Sequence, residues 1–356
     1  MISNTHTQVF QCTRHATSCN NIDMGKGLIK KDSEPALSVY GITEAIKLAK
    51  REKEKGSTRF IAPPGIPIAV SGLIRTWETA VLLYGYQIHS QQSNQGYTQL
   101  EIRVCPWLRE TSGWGSAFDV GNMPKEIKHS IPKFIKFLNT LINVYDFADK
   151  NYRINTINIY IPSTNSKNNA SLNSIGDWQI IQIHLNESKN EYMLHNNILC
   201  NIRDTIYNKY GYQNEVGDIM KFMQWYTRLF PYSKEMVHIV AHSQIMQQFV
   251  KKNLGTSLDE DITQQNCWSL TMEFHTKYDK SDSIDIIDSI QNGFNKPKGD
   301  KLTSAKELEK SKQAGSDPTS LCGTCGSVED IKCTMNGGRK TRRRRHHKKK
   351  TRRYRR

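Results

Sequence analysis

Apolar and polar positions alternate along the chain with two periods, which predict short strands and amphipathic helices. Apolar side chains that run together or alternate predict buried strands at residues 7–15, 65–72, 236–243 and 267–275. Helical spacing of apolar residues predicts helices at 43–56, 73–86, 217–230 and 244–255. Thr43 and Ser243 are the predicted N-caps, and Gly255 is predicted to close the last helix. Strands alternating with helices predict an α/β fold, a three-layer α/β/α sandwich with a mostly parallel central sheet.

The middle of the chain and its end carry weaker patterns. Within residues 126–222, a helix is predicted from about Pro132 and a strand at 179–185. An Asn- and Ser-rich stretch at 163–174 predicts a surface loop or insertion. Beyond about residue 281 the chain turns polar, which predicts a flexible linker over 281–338. The folded domain is therefore predicted to span residues 1–280.

Charge is concentrated at one end of the 356-residue chain. The formal net charge is +16, of which residues 339–356 supply +13, so the rest is nearly neutral. Like charges repel and nothing apolar can be buried there, so this tail is predicted to be disordered. Its predicted role is open between a nuclear-localisation signal, an anchor for nucleic acid or another polyanion, and a contact with an anionic membrane or protein.

Composition and cysteine content predict a protein of a reducing compartment. The sequence contains no run of about 18 apolar residues, so no membrane span is predicted. The N-terminus lacks the pattern of a secretory signal. The eight cysteines are therefore predicted to be reduced thiols of an intracellular protein, cytoplasmic or, through its tail, nuclear. A Gly-Gly step before the tail resembles tails of proteins from large DNA viruses, which would place a virus-encoded chain in the virion. A zinc knuckle at Cys322, Cys325 and Cys333 lacks an evident fourth ligand, so unliganded thiols are favoured.

Four polar stretches carry residues suited to phosphate chemistry. Arg14 and His15 end the first strand, and Arg75 follows the second strand near the start of a helix. His242 ends the strand at 236–243, and Glu110 lies in a predicted loop. The carboxyl ends of strands in an open α/β sheet are where ligands bind. A guanidinium binds phosphate, a neutral imidazole is a nucleophile, and a carboxyl group with a raised pKa can donate a proton.

Each stretch, taken alone, has an ordinary structural explanation. The histidines would be a surface residue and a packed or capping residue. Arg75 would be an exposed helix residue paired with Glu78 or Glu44, and Glu110 would pair with Arg109. The number of stretches and their order along the chain make the set specific.

In that order the stretches resemble the motifs of the histidine phosphatase superfamily, the phosphoglycerate mutase-like proteins. RHATSCNN from Arg14 resembles the RHG-type signature, and SGLIRTWETA from Ser71 resembles the arginine motif. LRETSGWG from Leu108 resembles the acid loop, and VAHS from Val240 the second-histidine motif. The resemblance covers residues 7–125 and 230–276. The usual Gly after the first His is Ala16 here, a small residue that some members of the family carry.

The resemblance implies an enzyme that works through a phosphohistidine. His15 would be the nucleophile, and Arg14, Arg75 and His242 would surround the phosphate and stabilise its charge during transfer. Glu110 would protonate the leaving oxygen and then help to activate water. Neither a metal nor another cofactor is implied, because the cluster itself neutralises the anion.

Further implications concern the rim of the pocket and the substrate. Asn21 matches a family Asn that contacts the phosphoryl group. Members of the family carry a cap over the pocket in the region that corresponds to residues 126–222, so substrate choice is expected to lie there. The implied partner is a phosphorylated metabolite or phosphoprotein. The oligomeric state is not predicted.

Two other functions stay open. Mutases of the family carry a paired-arginine motif that grips the glycerate carboxylate, and no adjacent Arg pair occurs between Glu110 and His242, which favours a phosphatase. The second alternative is a binding or structural protein that keeps the fold and uses its basic tail on nucleic acid. The intact catalytic positions argue against that alternative.

Overall fold

A computed structural model describes most of the first 290 residues of the chain. The described stretches are residues 5–18, 21, 36–88, 98–110, 124–144, 154–163, 177–200, 217–230, 234–255, 257–258, 265–277 and 283–290. The predicted linker beyond residue 290, its three cysteines and the basic tail lie outside these residues.

Nine strands form one sheet. In chain order they are β1 Thr5–Arg14, β2 Ile68–Val70, β3 Gln99–Val104, β4 Thr156–Ser163, β5 Asp177–Asn186, β6 Glu191–Cys200, β7 Val237–Ala241, β8 Ser269–Lys277 and β9 Ser283–Ile290. Their order across the sheet is β6-β5-β4-β3-β2-β7-β1-β8-β9. The five central strands, from β4 to β1, pair in parallel, and the strands on both sides of them pair antiparallel. The carboxyl ends of β3, β2, β7 and β1 therefore lie side by side.

Helices cover both faces of this sheet. They are α1 Val39–Glu54, α2 Ile74–Ala80 with a π-helical continuation over Val81–Gly85, α3 Pro124–Val144, α4 Ile219–Leu229 and α5 Ser243–Leu254. One apolar cluster joins α1, α2 and α3 to the sheet, and a second joins α4 and α5 to the other face. The predicted three-layer α/β/α sandwich is thus confirmed. None of the helices in the described residues has the length and apolar character needed to cross a bilayer.

The sequence pattern of the central strands follows from burial on both faces. Ile68 and Val70 of β2 belong to the first apolar cluster, and Ala69 between them belongs to the second. Successive side chains of a strand point to opposite faces, so a central strand has no polar face and is apolar throughout. Trp77 of α2 and Trp225 of α4 are fully buried on opposite faces, and burial of one such side chain contributes about 2–3 kcal/mol.

Tertiary contacts move two helix starts away from their predicted positions. Helix α1 begins after Ser38, not at Thr43, and the Ser38 hydroxyl oxygen accepts the Gly41 N–H at 3.0 Å. The Ser38 N–H and O–H both reach the carbonyl of Thr17, so a contact distant in sequence fixes this cap. Helix α3 begins at Pro124 and contains Pro132, so the predicted start at Pro132 was wrong.

Helix α5 follows its strand without a loop. Its N-cap position is His242, and Ser243, predicted as the cap, is the first helical residue. Gly255 closes the helix with a φ of 64°, as predicted, because a left-handed residue is where glycine has no steric cost.

The described part of residues 126–222 belongs to the sheet and to both helix layers, with α3 on one face and the start of α4 on the other. Strand β4 pairs in parallel with β3, and β5 and β6 extend the sheet beyond it. Ile157, Ile159 and Ile183 are buried in the same cluster as α3. The predicted strand at 179–185 is confirmed within β5. Of the predicted loop at 163–174, Ser163 is the last residue of β4 and the rest lies outside the described residues.

The sheet also continues past the predicted end of the domain. Strand β9 pairs antiparallel with β8, so ordered structure extends to Ile290, ten residues into the predicted polar segment. Only the first four residues of SIDIIDSI alternate polar and apolar as a strand does, and the Ser and Asp content of the segment predicted a linker.

Candidate active site

Four neighbouring parallel strands bring the candidate residues to one edge of the sheet. Strand β1 ends at Arg14, and the His15 N–H donates to the Ala241 carbonyl at 2.9 Å, which joins the ends of β1 and β7. His242 follows β7 directly. Arg75 is the second residue of α2, after β2, and Glu110 follows β3 through a short 3-10 turn at Pro106–Leu108. Residues separated by up to 228 positions thus meet because their strands are neighbours.

The guanidinium of Arg75 is the centre of the cluster. Its Nε donates to His15 Nε2 at 3.2 Å, and its Nη2 lies 3.2 Å from His242 Nδ1. The same Nη2 lies 3.5 Å from Glu110 Oε2, which is 3.3 Å from His242 Nδ1. Arg75 is 7% exposed and both histidines are buried. Two imidazoles, one carboxylate and one guanidinium therefore share a single small volume.

The hydrogen-bond partners fix the tautomers of both histidines. His15 Nδ1 lies 2.5 Å from the carbonyl oxygen of Ala16, which can only accept, so Nδ1 carries the hydrogen and Nε2 holds the lone pair. His242 Nδ1 lies 3.2 Å from Arg75 Nη2, which can only donate, and in the tautomer that accepts this bond the ring hydrogen is on Nε2. Within the described residues, His242 Nε2 is buried without a hydrogen-bond partner. One ring thus presents a nucleophilic nitrogen, and the other presents an N–H donor.

Burial keeps both rings neutral. It is the largest cause that lowers the pKa of His15 well below its ordinary value, and the charges of Arg75 and Arg14 lower it further. The bond to Ala16 opposes this shift. Burial, then Arg75, lowers the pKa of His242 in the same way. Both imidazoles are therefore uncharged at neutral pH.

Arg14 lies beside this cluster, and two backbone carbonyls bind it. Its Nη1 donates to the Gln265 carbonyl at 2.7 Å, and its backbone N–H donates to the Trp268 carbonyl at 2.9 Å. Burial lowers the pKa of Arg14, but a guanidinium titrates so high that it stays charged at neutral pH. Its charge lowers the pKa of both His15 and His242, which places it within electrostatic reach of both rings.

Asn21 has a different set of contacts. Its side-chain oxygen accepts from the Ser18 N–H at 3.1 Å and from the Ser18 hydroxyl at 2.7 Å. These bonds close the turn after His15. A contact between Asn21 and a phosphoryl group stays a prediction.

Thr79, which the sequence analysis missed, connects the two halves of the cluster. Its hydroxyl donates to the Arg75 carbonyl at 2.7 Å and accepts the Ala16 N–H at 3.0 Å. His15 donates to the Ala16 carbonyl, and Arg75 donates to His15. Together with the two bonds of Thr79, these close a ring of four hydrogen bonds. The only sequence signal was its place one helical turn after Arg75.

The two carboxylates that could have paired with Arg75 bind neighbouring segments. Glu78 Oε2 accepts the Leu37 N–H at 2.7 Å. Glu44 Oε2 accepts from the Thr17 hydroxyl and from the Asn266 amide, each at 3.2 Å. Burial raises the pKa of Glu44. These contacts hold the turn after His15 against α1 and against the segment that binds Arg14.

Three residues of the cluster are of types that could bind a metal ion. One ligand atom from each of His15, Glu110 and His242 lies within 4.8 Å of the other two. The guanidinium of Arg75 is within 3.5 Å of all three residues, and its charge repels a cation there. Guanidinium, N–H donors and neutral imidazoles suit a tetrahedral oxyanion better.

Comparisons with known proteins find similarity to solved structures alone. No family model and no curated protein matches the chain. Solved structures, in contrast, match the chain. A phosphoglycerate mutase from Bacillus anthracis is 13% identical over 78% of this chain and 94% of that one, with a TM-score of 0.35.

Two other solved structures are similar to a comparable extent. A mycobacterial glucosyl-3-phosphoglycerate phosphatase is 14% identical over 80% of this chain and 98% of that one, with a TM-score of 0.32. A phosphoserine phosphatase from Entamoeba histolytica is 13% identical over 82% and 98%, with a TM-score of 0.31. Since the TM-scores are low, the likeness supports no conclusion about this chain's activity, which must come from the site.

Proposed function

We propose that this protein is a phosphohydrolase of the histidine phosphatase type, which removes a phosphoryl group from a phosphorylated metabolite or phosphoprotein. The observation that carries the proposal is the convergence of His15, Arg75, His242 and Glu110 at the carboxyl edge of the sheet. Such a set provides a nucleophile, a proton donor and charge for the transferred group.

In the first step, the lone pair of His15 Nε2 attacks phosphorus and the bond from phosphorus to the ester oxygen breaks. The hydrogen bond from His15 Nδ1 to Ala16 supports this step, because it leaves Nε2 as the nitrogen with the lone pair. Glu110, in its protonated form, gives its proton to the departing oxygen. The guanidinium groups of Arg14 and Arg75 and the Nε2–H of His242 stabilise the equatorial oxygens.

In the second step, water attacks the phosphohistidine. The bond from phosphorus to Nε2 breaks, the Glu110 carboxylate takes a proton from the water, and inorganic phosphate leaves. His15 and protonated Glu110 are restored. Glu110 suits both steps because it is the most exposed member of the cluster, with 18% of its side chain accessible.

The first experiment asks whether the chain hydrolyses p-nitrophenyl phosphate and whether His15→Ala abolishes the reaction. We expect a loss of at least about 10⁴-fold in kcat/KM, because a covalent route has no substitute nucleophile. Rapid acid-free quenching should trap a base-stable, acid-labile phosphoenzyme in the parent protein and none in the variant. If both proteins are equally inactive from pH 5 to 9, the binding-protein alternative gains.

A second experiment separates hydrolysis from mutase chemistry. With a phosphoglycerate as substrate, a phosphatase releases inorganic phosphate at the rate at which substrate is lost, whereas a mutase yields the isomeric phosphoglycerate. The absence of adjacent arginines between Glu110 and His242 favours phosphate release. Accumulation of the isomer without phosphate would overturn this assignment.

A further inference from the structure

We propose that Gly217 and Asp218 are positioning residues that hold the proton donor Glu110 beside His242. This inference rests on the proposed phosphatase reaction. The long region 126–222 has no counterpart in the four motifs, and these two residues are where it meets the site. Gly217 and Asp218 lie at the end of that region, directly before α4.

Gly217 packs against the backbone of the segment that carries Glu110. A Cβ at this position would lie 2.2 Å from the Arg109 carbonyl oxygen and 3.1 Å from that of Trp107. Both oxygens belong to the short stretch that leads from β3 to Glu110. Since a backbone atom cannot yield as a side chain can, any residue larger than glycine must displace this stretch.

Asp218 holds the same stretch from the next position. Its N–H donates to the Trp107 carbonyl at 2.8 Å. Its side chain caps α4, accepting from the N–H groups of Met220 at 3.0 Å and Lys221 at 3.3 Å. The ring of Trp107 also packs on Trp225 of α4, with centroids 5.3 Å apart. The turn before Glu110 is therefore fixed to the start of α4.

The same two residues contact the helix that follows His242. The Cβ added at Gly217 would lie 2.6 Å from Ile245 Cδ1, and Asp218 lies 3.6 Å from Lys252 Nζ, both on α5. Gly217 thus lies where the segment of Glu110 meets the helix of His242. Because Glu110 and His242 are only 3.3 Å apart, a displacement of a few tenths of an ångström changes their geometry.

The test uses the dependence of the rate on the leaving group. A misplaced proton donor slows esters whose leaving oxygen needs a proton and spares those whose leaving group departs as a stable anion. For Gly217→Ala we expect kcat/KM for phenyl phosphate to fall about tenfold or more, and that for 2,4-dinitrophenyl phosphate by less than about twofold. Inhibition by vanadate should change much less than the rate for phenyl phosphate, since Arg14, His15 and Arg75 are untouched.

Two controls separate positioning from general damage. Gly85→Ala also adds a methyl group to a buried glycine, 2.5 Å from Ile154 Cδ1, and should lower stability without changing the leaving-group dependence. Asp218→Ala keeps the backbone N–H and removes the cap and the ion pair with Lys252, so it tests the idea if Gly217→Ala does not fold. We expect it to show the same leaving-group dependence with a smaller amplitude.

A double-mutant cycle closes the test. If Gly217 acts through Glu110, Gly217→Ala should have no further effect on kcat/KM in the Glu110→Gln background. Equal losses on both esters, or full additivity with Glu110→Gln, would overturn the positioning role while leaving the phosphatase intact. If the parent protein hydrolyses neither ester, the proposed function fails and this inference fails with it.

Discussion

Two buried polar clusters on the same sheet contain similar residues and differ in how fully those residues are bonded. The first is the edge cluster of His15, Arg75, Glu110 and His242. The second, deeper in the sheet, contains Arg59, Tyr84 and His238, and its histidine lies four residues before His242 on β7. Burial lowers the pKa of both His238 and His242, so a lowered pKa by itself does not distinguish a reactive histidine from a structural one.

The difference lies in the hydrogen bonds. Both ring nitrogens of His238 are occupied, by the Tyr84 hydroxyl at 3.3 Å and the Ile61 carbonyl at 2.9 Å. Nη2 of Arg59 bonds to the Cys267 carbonyl at 3.1 Å and to the Ser269 hydroxyl at 2.7 Å. These bonds occupy both ring nitrogens of His238 and Nη2 of Arg59 within the fold and stabilise it. The edge cluster leaves His242 Nε2 without a partner among the described residues, as a binding site requires.

The largest contrast is expected between His238 of β7 and His242, which follows that strand. His242→Gln should lower kcat/KM for p-nitrophenyl phosphate by about 10²–10³-fold, because an N–H donor to the transferred group is lost or misplaced. His238→Gln should leave kcat/KM within about threefold and lower the free energy of unfolding by about 1–3 kcal/mol. Steady-state kinetics and urea denaturation of both variants measure this, and full activity of His242→Gln would remove the contrast.

The arginines give the next contrast. Arg75→Lys should lower kcat/KM by about 10²-fold, because an ammonium group cannot reach His15 and His242 from one position as the guanidinium does. Arg59→Lys should cost stability and leave the kinetics unchanged. An active Arg75→Lys enzyme with a parental KM would show that only the charge matters.

Lowering the pH should reduce the stability of the protein through the deeper cluster. Burial lowers the pKa of His238 to about 4, while the unfolded chain titrates near 6.5. The unfolded state therefore binds more protons between these values, so the stabilising contribution is complete above pH 6.5 and is lost as pH falls towards 4. The loss should reach up to about 3 kcal/mol. Urea unfolding at pH 7.5 and 4.5 should show a smaller difference in His238→Gln than in the parent protein.

The smallest effect is expected at the hydrogen-bonded ring around Thr79. Thr79→Val should lower kcat about tenfold with little change in KM, because the turn of His15 loses its bond to the helix of Arg75. Thr79→Ser should restore the rate. Thr76→Val is the matched control: Thr76 is equally buried on α2 and bonds to the Leu73 carbonyl at 2.7 Å. Equal losses in both valine variants would mean that the ring only stabilises the helix.

The sequence predicted the parts of the site that follow strand ends. Arg14, His15 and His242 could be placed because apolar runs of central strands are easy to recognise and their ends are marked by polar residues. Thr79, Gln265 and Gly217 could not be placed, because each acts through contacts to the backbone of a segment that is distant in sequence or one turn away. The start of α1 was misplaced for the same reason, since the Thr17 carbonyl, not local propensity, selects Ser38 as the cap.

By itself the sequence determined the alternation of strands and helices, the concentration of charge in the tail, and the kinds of functional group available to a site. These are properties of residue type and of the spacing of apolar residues, which can be evaluated within a short segment of the chain. Only the tertiary structure decided which groups each histidine nitrogen contacts, which carboxylate of three faces Arg75, and that residues 283–290 join the sheet. Those outcomes depend on strand order, which brings β3, β2, β7 and β1 together, and no local pattern of residues encodes the distance between two such ends.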